Sequence, residues 1–218
     1  MSARAGYVRR FMGARVALGG LVVFGVILLA TLAAGLLSPA PPDEIDLDRA
    51  LRAPCLEHPF GTDPFGRDVL ARVVHGARIS LGVGFLARTI SLLLGLLLGA
   101  LAGYFGGRLD SILMRLADIT FAYPTLLLLI AIIAVVSPGM VSLFVTLGIV
   151  GWASVARLVR AQVLSVKERE FVQAARAAGA GHAALIVKHI LPQCLAPVLV
   201  VYTLGLGMTI MAEASLSF

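Results

Sequence analysis

From Ala17 onward the chain keeps returning to apolar runs of about twenty residues, long enough for a helix to cross a hydrocarbon core of about 30 Å. Runs of that length leave few folds open. In lipid every backbone N–H and C=O must find its partner inside the segment, and a helix meets that demand by itself. Ala17–Leu37, Ile79–Phe105, Ile119–Val136, Val141–Ala156 and the stretch from Leu195 to Phe218 read as five such spans. With 59% hydrophobic and 14% charged residues, the composition sets aside a soluble two-domain protein. The sequence predicts an all-α, polytopic transmembrane helical bundle.

Charge orders the spans. The net charge of +6 could suggest a nucleic-acid partner, but the basic residues sit in short segments flanking apolar runs, where they act as topology signals; no nucleic acid is expected. Residues 1–16 hold Arg4, Arg9, Arg10 and Arg15 and no acid, which places the N-terminus in the cytoplasm. The apolar run of residues 17–37 is too long for a signal peptide and further spans follow, so it reads as an uncleaved first transmembrane helix. Residues 38–78 open with Pro39, Pro41 and Pro42 and carry Asp43, Glu44, Asp46, Asp48, Glu57, Asp63 and Asp68, the profile of an external loop. Residues 79–218 then form the core, with spans two to five and a polar loop at residues 165–192. Within it, Gly106–Asp118 reads as a short cytoplasmic turn, Pro124 as a kink near the start of the third span, and Ser137–Met140 as a tight external turn. Arg108, Arg115, Arg157, Arg160, Lys167, Arg169, Arg176 and Lys188 all fall on the side predicted to be inside.

In the external loop, Asp63 and Asp68 are separated by Pro64, Phe65 and Gly66, without the regular oxygen ligands of a calcium site. A capped turn leading into a helix, with Arg67 and Asp68 in local pairs, is the reading preferred. In the second span Gly95, Gly99 and Gly103 recur every four residues and share one helix face. Such a face reads as a helix-packing seam, the alternative being glycines merely tolerated in an apolar helix. Arg88 in the same span either lines a substrate path or lies near the outer interface. Glu213 in the last span is a candidate for pairing or for the path, or an interfacial acid of local structural use.

One polar island, residues 165–192, interrupts the apolar runs. Ser165 and Glu168 suggest a capping box, an Ala-rich helix should run to Ala178, and Gly179 and Gly181 should break it. Gly179 is expected at positive φ. Ala183–Ile190 can form a second short helix, stopped by Pro192. Ala174, Ala175, Ala177 and Ala178 leave a side-chain-poor surface on which another protein could pack.

Gln173-Ala174-Ala175, Gly179 and Leu191-Pro192 resemble the cytoplasmic loop of bacterial ABC-importer permeases whose pattern is E-A-A-x3-G-x9-I-x-L-P. Two positions depart from it: Gln173 replaces Glu, losing a charge, and His189 stands where Ile is usual, with Ile190 one place later. His58-Pro59-Phe60-Gly61-Thr62-Asp63, Gly66-Arg67-Asp68 and Gly76-Ala77-Arg78 resemble more narrowly the C-type permease subunit of dipeptide, oligopeptide and nickel importers. This resemblance implies a coupling-helix loop in which Gln173, Ala174, Ala175, Ala177, Gly179, Leu191 and Pro192 dock an ATPase. It also implies a second homologous permease, two ABC ATPase subunits, an extracytoplasmic substrate-binding protein, a place in the bacterial inner membrane, and peptide, nickel or another small solute as cargo. Ala212-Glu213-Ala214-Ser215-Leu216-Ser217-Phe218 is similar to family sequence that continues into a sixth span, so five of six spans are expected here.

No phosphate-binding G-x-x-x-x-G-K-[ST] loop occurs, so ATP hydrolysis is expected in a partner and this chain is not an enzyme. His58, His75, His182 and His189 lack metal-ligand spacing, Cys55 and Cys194 lie on opposite sides of the membrane, and neither metal nor cofactor is expected. An ion-coupled secondary transporter is the alternative, though beyond Arg88 and Glu213 its spans offer few buried charges. A membrane-embedded enzyme would need a catalytic constellation that is missing. The orientation has a direct test: a reporter active only outside the cytoplasm should work when fused after Pro54 and fail after Arg169, and activity after Arg169 would invert the topology.

Overall fold

The computed structural model describes residues 14–37, 41–136 and 139–216. Arg4, Arg9, Arg10, Pro39, the turn residues Ser137 and Pro138, and the terminal Phe218 lie outside the described residues. Helices dominate: α1 (Arg15–Leu32) with a further turn at Ala34–Leu37, α2 (Val69–Phe105), α3 (Gly107–Ala122), α4 (Thr125–Val135), α5 (Met140–Val166), α6 (Glu170–Ala177), α7 (His182–Ala184), a π turn (Leu185–Ile190) and α8 (Leu191–Leu216). Four helical stretches are long and apolar enough to cross a membrane: α1, α2, α5 and residues His182–Leu216. A fifth arises if α3 and α4, bent by 96° at Tyr123-Pro124, count as one broken span. The chain is a polytopic helical membrane protein. It divides into two compact units, Met1–Ile79 and Ser80–Phe218.

In the first unit, α1 exposes Leu21, Val22 and Leu29, as a helix surrounded by lipid requires. The polar segment after it is built on carboxylates. Asp46 caps a 3-10 turn at Leu47–Arg49, and the carbonyls of Phe65 and Asp63 accept from the amides of Asp46 and Leu51. Gly66 turns back at φ +75, and a Cβ there would overlap the Asp46 carbonyl. Asp63 holds the return: Oδ1 accepts from the amides of Phe65 at 2.8 Å and Arg67 at 3.0 Å, and Oδ2 from Arg67 Nε at 2.7 Å and Arg72 Nη1 at 2.8 Å. Asp68 then caps α2 by accepting from the Ala71 amide at 2.8 Å, while its other oxygen meets His58 Nδ1 at 2.8 Å. Because of this cap α2 begins at Val69, ten residues ahead of the apolar run, instead of at Ile79.

In the second unit α5 is the central helix. It packs against α3, α4 and α8, and the glycine face of α2 lies along it. A Cβ on Gly95 would overlap the Val155 side chain; on Gly99 it would stand 2.5 Å from the Ala156 carbonyl oxygen, and on Gly103 2.9 Å from that of Arg160. Ser91, one turn earlier on the same face, donates to the Gly148 carbonyl at 2.9 Å, and a Cβ on Gly148 would press on Ile90. Close backbone approach lets Val155, Val159 and Val163 reach the core that also holds Val172, Leu185, Ile190, Cys194 and Val198.

Several expected boundaries move. The fourth span does not end at Ala156: α5 continues to Val166, because Arg157 and Arg160 turn aside to Asp118 and Asp110 of α3 while Val159, Val163 and Val166 stay buried. Ser165 therefore lies in the last turn of α5 instead of capping a helix, and α6 starts only at Glu170, with Arg169 at its N-cap. Gly106–Asp118 is not a short turn but most of α3, and the third span is broken at Pro124. Pro192 does not stop a helix. The widened π turn before it takes up its missing N–H and ring bulk, and α8 runs on through Pro197.

Two predictions follow from these contacts. Gly99→Leu should cost about 1–3 kcal/mol or prevent folding, since the atom it meets is backbone, whereas Leu97→Ile at an exposed position should be mild; thermal denaturation of the purified protein compares them. For Asp63, burial works to raise its pKa, but the Arg67 backbone and side chain, the Phe65 amide and the Arg67 charge outweigh it and hold it at about 2. A depressed carboxylate stabilises the fold above its unfolded pKa and loses that contribution as pH falls through the folded one. The segment should therefore keep its pairing at pH 4 and lose it toward pH 2. A carboxyl-carbon NMR titration should place the midpoint near 2, and a midpoint near 4 would remove the ion pair from the account.

Candidate functional site

Two places in the second unit gather polar groups that the packing of the spans does not need. The first is a cavity of about 800 Å³. The α3–α4 break contributes Thr120, Phe121, Pro124 and Thr125, α5 contributes Leu147, Val150, Gly151 and Ser154, and α8 contributes Val201, Leu204, Gly205, Met208 and Thr209. The bend at Pro124 is what opens the space, because a straight helix would carry Thr120 and Thr125 along one axis. Arg88 of α2 is the one charged residue in the lining. It is 6% exposed, and its Nη2 donates to the Val201 carbonyl at 2.8 Å. Its Nε has no hydrogen-bond partner among the described residues. Gly205 makes this position possible: a Cβ there would overlap the guanidinium. A buried guanidinium at span depth costs about 2.5–3.5 kcal/mol or more, and one neutral carbonyl offsets that only in part. Glu213, named with Arg88 from the sequence, is buried on α8 but is absent from the lining, which takes the neighbouring Ala212 and Ser215. Phe121, Ser154, Gly205 and Met208 were not singled out from the sequence. Of these only Gly205, a further glycine in a span that already carries Gly207, left any sign.

The second place is the elbow. At the end of α6, Ala180 N–H donates to the Ala175 carbonyl and Gly179 N–H to that of Arg176, both at 3.0 Å, which closes a Schellman motif with Gly179 at φ +85. Ala174, Ala177 and Ala178 are exposed, while Gln173 and Ala175 are half-buried. Glu170 in the first turn and Arg176 in the last complement the helix dipole. Val172 beneath them is fully buried in the cluster shared with α5, the π turn and α8. Leu191 packs against that cluster and Pro192 is exposed. Gln173 Nε2 donates to the Lys167 carbonyl at 3.2 Å and to Glu168 Oε2 at 3.4 Å. A glutamate here could make neither bond and would set a second carboxylate beside Glu168.

Long-range polar contacts tie the elbow to the spans. Lys167 Nζ donates to the Gly103 carbonyl at 2.9 Å, the Tyr104 hydroxyl meets His182 Nδ1 at 2.7 Å, and Arg160 forks onto Asp110. Arg157 pairs with Asp118 and lies over the Phe121 ring at 4.2 Å, which connects this end of α5 to a wall of the cavity.

Comparison with known proteins places these features in a family. Residues 95–218, which hold the glycine seam, the elbow and nearly all of the cavity lining, match the family described as binding-protein-dependent transport system inner membrane component. Residues 5–54 match the N-terminal TM domain of oligopeptide transport permease C. The chain is 42% identical over 204 residues to the dipeptide transport system permease protein DppC of Alkalihalophilus pseudofirmus, covering 94% of this chain and 67% of that protein. It is 38% identical over 209 residues to the oligopeptide transport system permease protein OppC of Bacillus subtilis, covering 96% and 68%. To the glutathione transport system permease protein GsiD of Pectobacterium atrosepticum it is 37% identical over 211 residues, covering 96% and 70%.

Proposed function

We infer the working of this chain from one premise: it belongs to the family of binding-protein-dependent transport system inner membrane components. It is a permease subunit of an ABC importer, a multi-pass membrane protein and not a catalytic chain. That membership decides against the ion-coupled alternative. The relatives' names carry dipeptides, oligopeptides and glutathione, so peptides are the solute proposed here, ahead of nickel.

The observation that carries the coupling mechanism is the elbow, an exposed small-residue helix whose underside is rooted in the same buried cluster as α5 and α8. A cytoplasmic ATPase docks on Gln173, Ala174, Ala175, Ala177 and Gly179, with Leu191 and Pro192 forming the base, and the N-terminus shares that side of the membrane. A second homologous permease, a pair of ATPase subunits and an extracytoplasmic binding protein complete the importer. When the ATPases close, the force reaches α5 and α8 through Val172, Leu185 and Ile190, and reaches α2 through Lys167 and His182. Rigid contacts of this kind shift helices as units, so the spans tilt between two states instead of deforming continuously. The cavity around Arg88 is this subunit's share of the path, and Glu213 is buried on α8 outside its lining.

A single cysteine at Ala177, with Cys55 and Cys194 replaced by serine, should cross-link to the ATPase, while one at Ser142, in the first turn of α5 at the far end of that helix, should not. Gly179→Val forces a branched side chain into positive φ, and should uncouple ATP hydrolysis from uptake while insertion is retained. Normal transport by Gly179→Val, with no cross-link from Ala177, would overturn the docking assignment.

A further inference from the structure

Four of the five hydroxyls in the cavity lining, all but that of Thr125, already use their proton within their own helix. Thr120, Ser154, Thr209 and Ser215 each donate the hydroxyl proton to a carbonyl three or four residues back on their own helix, at 2.8–3.1 Å. Each hydroxyl therefore has only acceptor lone pairs left to offer the cavity. Arg88 is the opposite. Its guanidinium is more than nine-tenths buried, one nitrogen is bonded to the Val201 carbonyl, Nε has no partner, and no described carboxylate lies within ion-pair distance of it. Gly205 and Gly151 leave the group room to lie flat between α8 and α5. Apart from Thr125, the rest of the wall is apolar: Leu, Met, Phe and Val with Pro124 and Ala212. The space thus offers one cationic donor, several neutral acceptors and an apolar surround.

We propose that Arg88 binds the free carboxylate of the transported solute, with the wall hydroxyls accepting from the solute's N–H groups and the apolar wall receiving its side chains. The ligand class is a peptide-like zwitterion. A guanidinium recognises a carboxylate through paired, charge-assisted N–H donors, and the low-dielectric wall strengthens that contact. The same charge repels a bare metal cation, which would find no anionic ligand in the lining. This proposal rests on the reading of the cavity as part of the path. It adds to that reading a chemical requirement that the permease itself imposes, separate from selection by a binding protein.

The test uses the assembled importer in proteoliposomes, with Ala212→Cys as a reporter in the cavity lining and Cys55 replaced by serine. Protection of that cysteine from a small thiol reagent is measured against alanyl-phenylalanine and against its C-terminal amide. The free acid should protect at concentrations at least about tenfold below the amide, the size of one charge-assisted contact. Arg88→Gln should abolish that difference by weakening the acid alone, and Arg88→Lys should keep part of it. Equal protection by acid and amide in the Arg88 protein overturns the proposal. So does an equal loss for both in Arg88→Gln, as would occur if another subunit's carboxylate occupied the guanidinium. ATP-driven uptake of alanyl-phenylalanine, followed in the same vesicles, separates the two readings. Acid-selective protection without uptake would sink peptide import and leave the site standing, whereas uptake without acid-selective protection would sink the site.

Discussion

Everything in the second unit depends on how closely α2 can approach α5. In lipid there is no hydrophobic effect to drive two apolar helices together, so packing contacts and interhelical hydrogen bonds must do it. Gly95, Gly99 and Gly103 allow the α2 backbone to lie against the Ala156 and Arg160 carbonyls, and Ser91 adds a hydrogen bond to the Gly148 carbonyl. With α2 seated there, α5 presents its valines to the core beneath the elbow and Gly151 to the cavity. Within this unit α3, α4 and α8 pack on α5.

Polar pairing extends the same axis. Arg157 and Arg160 would ordinarily end an apolar span, but Asp118 and Asp110 on α3 receive them and α5 carries on for about another turn and a half to Val166. The extension brings Lys167 to the end of α2 and sets α6 shortly after it. The elbow therefore does not hang from a flexible loop. It is held by Val172 from below, by Gln173 at its start and by the Schellman closure at its end. A rigid mount of this sort transmits displacement, which a loop would absorb.

The cavity and the elbow are linked by contacts along α5. Arg157 lies over Phe121, so the helix that leads into the elbow also touches a wall of the cavity. A shift of α5 relative to α3 would alter the cavity and the elbow together. The break at Pro124 serves this arrangement, since the bent α3–α4 pair lets α3 follow α5 while α4 packs elsewhere along it.

The spans, the four-residue glycine face, the glycine elbow and the alanine surface were legible in the sequence, because each is a local property of run length, spacing or backbone preference. Gly179 at positive φ is of this kind: no distant residue is needed to require it. Helix ends were not legible. Where α5 stops depends on acids in α3, up to 50 residues away in sequence, and where α2 begins depends on the fold of the segment that delivers Asp68. Pro192 read as a stop because local rules count its missing N–H, and tertiary packing instead absorbed it in a π turn. The sequence also identified Arg88 as the odd charge in a span while leaving its place open. Only the folded chain could decide that, since the Val201 carbonyl it bonds is 113 residues away and the room for its guanidinium is made by a glycine on another helix. Periodicity specifies which face a residue occupies; what that face meets is set by contacts between helices, and those exist only once the chain has folded.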